Sequence, residues 1–133
     1  MSVARGLLDT SVFIAAESGR SLRADSLPDE GAISVVTKAE LRAGILAAAD
    51  IENRDRRLRT FELAGRIAAL PVDERVADSW AQMRAYLAAS GRRVNVNDAW
   101  IAATAAAHRL PLITQDADFE PLAGVAGLTV VEA

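Results

Sequence analysis

Cysteine is absent from the 133-residue chain, and histidine occurs once. Without cysteine there is no disulfide, thiolate metal site or thiol nucleophile. A single histidine also excludes most metal sites and catalytic triads that are built on imidazole. Apolar runs stay shorter than the roughly 20 residues that a bilayer-spanning helix needs, and the first residues lack the apolar segment and cleavage site of a signal peptide. We therefore expect a single domain over residues 1–133 that is soluble and cytoplasmic.

The chain also has no large net charge of either sign. Fifteen Lys and Arg residues against eighteen Asp and Glu residues give a formal net charge of −3. This balance argues against broad electrostatic attraction to nucleic acid, although a local basic patch can still recruit it. The partner must therefore be inferred from particular residues.

Short apolar segments alternate with helical patterns along the chain. Four segments are too short for helices and are bounded by turn-forming residues, which is typical of strands; they are residues 3–8, 32–35, 111–114 and 128–131. Helical patterns occupy residues 11–16, 37–49, 53–70 or 55–70, 73–91, and a segment that begins at 97 or 98 and ends at 108. Strands that interleave with helices and show no clean in/out alternation predict an α/β fold with a parallel sheet covered on both faces.

Five acidic residues fall where these strands end or where the following helices begin. Asp9 ends the first strand, and Asp116 and Asp118 follow the third. Glu40 and Asp98 fall in the first turns of the helices predicted to begin at 37 and at 97 or 98. Because ligands bind outside the carboxyl ends of parallel strands, we expect these carboxylates to face one crevice.

Each acid also has a purely local explanation. Asp9 fits an Asx turn or a helix cap, and Glu40 fits the last position of a T-x-x-E capping box that begins at Thr37. Asp98 complements a helix dipole, and residues 116–118 fit an ordinary loop. Independent caps and turns have no reason to share one sheet edge, so their shared position favours a site.

A cluster of carboxylates needs a cation, because mutual repulsion otherwise drives some of them to protonate at neutral pH. Mg²⁺ and Mn²⁺ favour oxygen ligands, and Mg²⁺ combines one or two carboxylates with waters and substrate phosphate. An acidic cluster without cysteine or histidine therefore predicts one or two Mg²⁺ or Mn²⁺ ions and phosphate chemistry.

Four sequence segments resemble the PIN-domain ribonucleases, in particular the small VapC-type toxins of bacterial toxin–antitoxin pairs. The segments are LLDTSVFI at 7–14, SVVTKAELRAGI at 34–45, NVNDAWIAATAAAHRLPLIT at 95–114 and QDADF at 115–119. They occur in the family's order at family-like spacing. The resemblance covers essentially the whole chain, which is why residues 1–133 are treated as one PIN domain.

This resemblance implies a three-layer α/β/α sandwich with a central, mainly parallel sheet. It also implies an Mg²⁺- or Mn²⁺-dependent endoribonuclease that cleaves single-stranded or looped RNA (tRNA, rRNA or mRNA) and inhibits growth as a toxin. The implied partners are a cognate VapB-type antitoxin and a second copy of the chain in a homodimer, with no membrane.

The resemblance also assigns site residues. Asp9, Asp98 and Asp116 are expected to hold metal directly or through water. Glu40 is expected to orient a water or to bind a second ion. Asp118 occupies a further acidic position that helps to hold a second metal. The catalytic quartet falls on Asp9, Glu40, Asp98 and Asp116, and supporting polar positions fall on Thr10, Ser11, Asn97 and Thr114.

Basic residues near the acids admit two explanations. Arg92 and Arg93 lie in a loop just before Asp98, where they are candidates to contact RNA phosphate or are simply solvated. The arginines within residues 54–59 alternate with an acid and a leucine, which fits a solvated helix face or contacts with RNA or antitoxin. His108 fits a structural position at a helix end.

Two rival functions are kept beside the nuclease. Another phosphohydrolase with an aspartyl nucleophile would also place an acid after the first strand, but its usual pattern has a second aspartate where Ser11 stands here. A catalytically silent PIN-like module that only binds RNA or antitoxin would show no metal-dependent cleavage. Cleavage assays with and without metal distinguish these alternatives.

Overall fold

A computed structural model describes residues 3–133. In that part of the chain the strands are β1 (Val3–Leu8), β2 (Pro28–Ser34), β3 (Ala68–Leu70), β4 (Leu112–Thr114) and β5 (Val130–Glu132), and the helices are α1 (Thr10–Glu17), α2 (Val35–Leu46), α3 (Ile51–Ala64), α4 (Glu74–Ser90) and α5 (Val96–Ala107). A 3₁₀ helix, Ala117–Leu122, follows β4. None of the helices in the described part combines the length and apolar character that a bilayer crossing requires.

The strands form one parallel sheet in the order β3-β2-β1-β4-β5. β1 is central, with Leu7 opposite Ala32 of β2 and Leu112 of β4. The predicted α/β fold with a parallel sheet is confirmed, and β3 is a strand that the sequence did not predict.

Helices cover both faces of the sheet. Leu7 and Leu112 pack into the core on the face of α4 and α5. Their neighbours Leu8 and Ile113 point to the other face and pack with residues of α1, α2 and α3. Because both faces are buried, the central strands are apolar at consecutive positions, as the sequence showed. The protein therefore has the three layers of an α/β/α sandwich.

One predicted helix is in fact a helix followed by a strand. The segment 53–70 belongs to α3, which ends at Ala64, and to β3, which pairs with β2 through Ala68 opposite Ala32. α3 also begins earlier than predicted, since the Asp50 carboxylate caps it by accepting from the Asn53 N–H at 2.8 Å.

Of two other predicted helices, one begins earlier than predicted and the other has the predicted ends. α2 begins at Val35 and not at 37, because the Ser34 hydroxyl caps it by accepting from the Val36 N–H at 3.0 Å. The helix predicted over 73–91 is confirmed as α4, with Asp73 as its N-cap and Gly91 in the left-handed region at φ 68°.

The connections place a switch point between β1 and β4. From β1 the chain builds outwards to β2 and β3, and it then returns through α4 and α5 to β4 on the other side of β1. The carboxyl ends of β1 and β4 therefore flank the position where open α/β sheets form ligand crevices. Asp9 stands at this position, and its N–H donates to the Ile113 carbonyl at 2.9 Å.

Candidate metal centre

Asp9 follows the last residue of β1 and is only 3% exposed. Its Oδ2 accepts hydrogen bonds from the Ser11 N–H at 3.2 Å and from the Thr114 hydroxyl at 2.9 Å. The first bond makes Asp9 the N-cap of α1, which begins at Thr10 and not at the predicted position 11. The second bond reaches across to β4. Asp9 is therefore a helix cap and, at the same time, part of a polar cluster between two strands.

The Thr114 hydroxyl connects the acids at the ends of β1 and β4. While it donates to Asp9, its oxygen accepts from the Asp116 N–H at 2.9 Å and lies 3.1 Å from the Ser11 hydroxyl. Ser11 Oγ accepts in turn from the Gln115 N–H at 3.0 Å. Thr114 is buried, so water does not compete for these bonds, and they fix the chain on both sides of the crevice.

Three of the five predicted metal ligands meet in one cluster, which does not include Asp9 or Glu40. Asp98, Asp116 and Asp118 each offer one carboxylate oxygen, and these oxygens lie within 4.8 Å of one another. Asp98 comes from the first turn of α5, whereas Asp116 caps the 3₁₀ helix Ala117–Leu122 and its Oδ1 accepts from the Asp118 N–H at 2.9 Å. Phe119, which is fully buried, anchors this short helix in the core. The spacing of the aspartates is thus fixed by backbone structure.

Asp98 has a strongly perturbed acidity. Its pKa is raised from the usual 3.8 to about 7. Burial of the carboxyl group is the largest cause, and the remaining causes are repulsion from the other acids of the site, namely Asp9, Asp116, Glu40 and Asp118. A cation among these groups would reverse the repulsion and keep Asp98 ionised at neutral pH. A cation at this site is therefore electrostatically favourable.

Glu40 is positioned by two threonines. The Thr10 hydroxyl donates to Glu40 Oε1 at 2.7 Å and lies 3.0 Å from Oγ1 of Thr37. The capping box predicted from Thr37 to Glu40 is wrong, because Ser34 caps α2 and Thr37 is fully buried inside the helix. Glu40 accordingly lies in the second turn of α2. Thr37 is a supporting residue that the sequence analysis missed, although its position three residues before Glu40 places both on one helix face.

The other predicted residues lie around this cluster. Asn97 is exposed beside Asp98, and its N–H donates at 2.9 Å to Oδ1 of Asn95, which caps α5. Arg92 and Arg93 are exposed and border, together with Asp118, a depression of about 570 Å³. His108 directly follows α5, at the opposite end of that helix from Asp98. It is therefore not part of the cluster.

The donor set fits a divalent hard cation. All three clustered ligands are carboxylate oxygens, which are the ligands that Mg²⁺ and Mn²⁺ prefer. Asp118 is exposed, so the cluster is open to solvent on one side, where water and substrate phosphate can complete a coordination shell. The raised pKa of Asp98 reflects, beside its burial, the repulsion among these carboxylates that such a cation would offset.

The fold and the site together define the class of protein. A parallel α/β/α sandwich that gathers acids at its switch point is what the four sequence segments led us to expect. The model of the PIN domain family matches residues 6–125. The chain belongs to the PIN domain family.

Individual relatives indicate which group within the PIN domain family the chain resembles. The chain is 54% identical over 128 residues to ribonuclease VapC5 of Mycobacterium tuberculosis, covering 96% of this chain and 95% of that protein. It is 44% identical over 130 residues to ribonuclease VapC4 of the same organism, covering 98% of this chain and all of the other. A crystal structure of VapBC-5, a member of the VapBC family of toxin–antitoxin systems from M. tuberculosis, matches with a TM-score of 0.92 and 50% identity, covering 98% of this chain and 99% of that one. The predicted resemblance to VapC-type proteins is confirmed.

Proposed function

We propose that the chain is a metal-dependent endoribonuclease that hydrolyses phosphodiester bonds in cytoplasmic RNA and acts as the toxin of a toxin–antitoxin pair. The observation that carries the proposal is the meeting of Asp98, Asp116 and Asp118 within 4.8 Å at the switch point of the sheet. The names of the two relatives support the same reaction, since both are ribonucleases and the similarity extends over nearly the whole chain.

The residues of the site have separate roles in the proposed reaction. Asp98 and Asp116 would hold an Mg²⁺ or Mn²⁺ ion, and Asp118 would help to hold a second one. When bound, such an ion lowers the pKa of a bound water, which supplies hydroxide to attack phosphate at neutral pH, and it offsets the charge of the phosphate oxygens. Asp9 adds negative charge that acts on Asp98, and a hydrogen bond from the Thr114 hydroxyl holds its carboxylate in place. Glu40, whose carboxylate the Thr10 hydroxyl fixes, orients a water or a second ion.

We expect the purified protein to cleave structured RNA in Mg²⁺ or Mn²⁺ and to be inactive in EDTA. Asp116→Asn is expected to remove cleavage in either metal, because an amide is a weaker ligand and carries no charge. Asp29→Asn is the matched control, since Asp29 is exposed near the start of β2, at the edge of the sheet opposite the site. End-labelled RNA resolved on denaturing gels measures the rates.

Each alternative predicts a different result in the same assay. Cleavage that persists in EDTA, or that Asp116→Asn leaves at the wild-type rate, would overturn the proposal. RNA binding without cleavage in any divalent cation would identify a silent PIN-like module. Hydrolysis of small phosphate esters in place of RNA would identify another metal-dependent phosphohydrolase.

The proposed toxin needs a protein inhibitor, and a groove beside Glu40 is suited to bind one. The groove has a volume of about 650 Å³, and apolar side chains of Ile14 and Leu41 are among those that line it. Leu46 and Ile51, at the adjoining ends of α2 and α3, are 68% and 76% exposed. We assign this surface to a VapB-type antitoxin, in keeping with the toxin–antitoxin complexes among the structural relatives. A homodimer of the chain is part of the same proposal.

A further inference from the structure

Two adjoining depressions extend from the acidic cluster across the turn between α4 and α5. The first, of about 570 Å³, reaches from Asp118 to Arg92 and Arg93. The second, of about 510 Å³, continues along α4 to Arg84. Both are lined by Arg92, Arg93 and Val94, so they form one continuous surface. We refer to this surface, which runs from Asp118 to Arg84, as the arginine groove.

The cationic groups of the arginine groove are not neutralised by the protein. Arg84, Arg92 and Arg93 are all exposed. Within residues 3–133 the ion pairs are Arg5–Glu30 and Arg23–Glu132, and no arginine of the groove takes part in either. Three unpaired guanidinium groups against the two carboxylates of Asp118 and Glu120 leave the groove with an excess of one positive charge, on a chain whose formal net charge is −3.

The backbone that carries these arginines is fixed. Gly91 ends α4 in the left-handed region at φ 68°, and its N–H donates to the Leu87 carbonyl. The Arg92 N–H donates to the same carbonyl at 3.2 Å. On the other side of the turn, Asn95 caps α5. The turn therefore presents Arg92 and Arg93 from a defined position. Because this backbone is already ordered, binding an anion there costs less conformational entropy of the protein.

The second basic surface near the acids is different. The guanidinium of Arg57 donates to the Gly44 carbonyl at 2.7 Å, and that of Arg56 is hydrogen-bonded to Asn53. Their groove is also lined by Glu17 and Glu40. Carboxylates line both grooves, so the difference lies in the hydrogen bonds. Arginines that already donate to protein acceptors attract phosphate less than the unpaired arginines of the arginine groove.

On the basis of the proposed ribonuclease function, we propose that the arginine groove binds the sugar–phosphate backbone of single-stranded RNA on one side of the scissile bond. Successive phosphates face Arg92, Arg93 and Arg84 as the strand leaves the acidic cluster at Asp118. The remaining lining includes small or aliphatic residues such as Ala88, Val94 and Pro121 together with Asn95 and Glu120, and the described residues place no aromatic ring in it. Without a surface for base stacking, the groove recognises phosphate and not base identity.

The test is the salt dependence of RNA binding, measured by fluorescence anisotropy with a short fluorescein-labelled single-stranded RNA. Asp98→Asn serves as the background so that the RNA stays intact. Each of Arg84→Ala, Arg92→Ala and Arg93→Ala is expected to weaken binding and to reduce the slope of log K against log salt by about 0.7. The triple variant is expected to bind at least about tenfold more weakly near 50 mM KCl. Exchanging the bases of the RNA is expected to change little.

Arg66→Ala is the matched control, because Arg66 is exposed in the turn between α3 and β3 and lines neither depression. It should bind RNA like its parent. A triple variant that keeps the parental affinity and salt slope, while the wild-type protein cleaves RNA in Mg²⁺, would overturn the groove proposal and leave the ribonuclease function intact. A wild-type protein without Mg²⁺-dependent cleavage would overturn the proposed function itself and the groove proposal with it.

Discussion

Asp98→Asn is expected to abolish RNA cleavage and to stabilise the metal-free protein at alkaline pH. The loss of cleavage should reach about 100-fold or more, because removal of a metal ligand costs several kcal/mol of transition-state stabilisation and each 1.36 kcal/mol is tenfold in rate. Stabilisation is expected because Asp98 is the acid on which burial and the repulsion of four neighbouring carboxylates act together.

The sign of the stability effect follows from proton binding. The pKa of Asp98 is about 7 in the folded protein and near 3.8 when unfolded. Between these values the folded state keeps a proton that the unfolded state has lost, so the free energy of unfolding falls as the pH rises. This contribution is fully present below about pH 4 and is lost as the pH passes through 7. Asparagine cannot ionise, so the variant avoids the loss.

Thermal unfolding in EDTA measures this effect. The melting temperature of the wild-type protein should fall between pH 5 and pH 8 by more than that of Asp98→Asn, and the variant should melt about 3 °C or more above the wild type at pH 8. Saturating Mn²⁺ should stabilise the wild type and have little effect on the variant. Asp29→Asn should follow the wild type throughout. A variant that cleaves RNA at the wild-type rate, or that shares its pH dependence in EDTA, would contradict the assignment of Asp98.

Thr114→Val is expected to destabilise the fold and to weaken metal binding together. Valine has nearly the shape of threonine and suits a buried strand, so the change removes the hydroxyl with little effect on packing. Loss of the hydroxyl leaves the buried Asp9 carboxylate without one donor and the Asp116 N–H without its acceptor. We expect a loss of about 2–4 kcal/mol in the free energy of unfolding. Mn²⁺ affinity should fall about 10- to 100-fold, as for other residues that orient metal ligands.

Two further variants control for this experiment. Thr114→Ser keeps the hydroxyl and should retain most of the metal affinity. Thr60→Val removes a buried hydroxyl that lies in α3, where it donates to the Arg56 carbonyl at 3.3 Å, and should leave Mn²⁺ binding unchanged. Chemical denaturation and calorimetric titration with Mn²⁺ provide the two readouts. Unchanged stability and unchanged Mn²⁺ affinity in Thr114→Val would show that the hydroxyl does not organise the site.

The convergence of the acids was predictable because it depends on simple features of the chain. An apolar run that ends on Asp9 and another that leads into Asp116 mark the carboxyl ends of two strands. The interleaving of strands and helices predicts that these strands are parallel, so their ends share one edge. The local explanation of Asp9 as a helix cap is also correct, and Asp116, for which the sequence indicated an ordinary loop, caps a 3₁₀ helix. A cap and a candidate metal ligand are compatible roles for one carboxylate.

β3 was missed because it is stabilised by a distant partner. Ala68–Leu70 has only three residues and continues the apolar pattern of α3, and its partner is β2. Gly65 is a local signal for the end of the helix. The three residues of β3 are too few to distinguish a strand from a further turn of helix.

The surroundings of Glu40 were mispredicted for a related reason. Both Ser34 and Thr37 are acceptable caps, and the T-x-x-E pattern favoured Thr37. In the folded chain Thr37 is buried beside Thr10, so its hydroxyl is used in a tertiary contact. The raised pKa of Asp98 was likewise not predictable from the sequence. It depends on the burial of this carboxyl group and on its distances to four other carboxylates, which only the folded chain defines.

The location of Mn²⁺ in crystals of the protein, measured by anomalous scattering, tests the central claim most directly. We predict a peak at coordination distance from carboxylate oxygens of Asp98 and Asp116, close to Asp118, and we predict its loss in crystals of Asp98→Asn. Ordered aspartates without a Mn²⁺ peak between them, in a protein that still cleaves RNA in Mn²⁺, would contradict the claim that these residues form the metal centre of a ribonuclease.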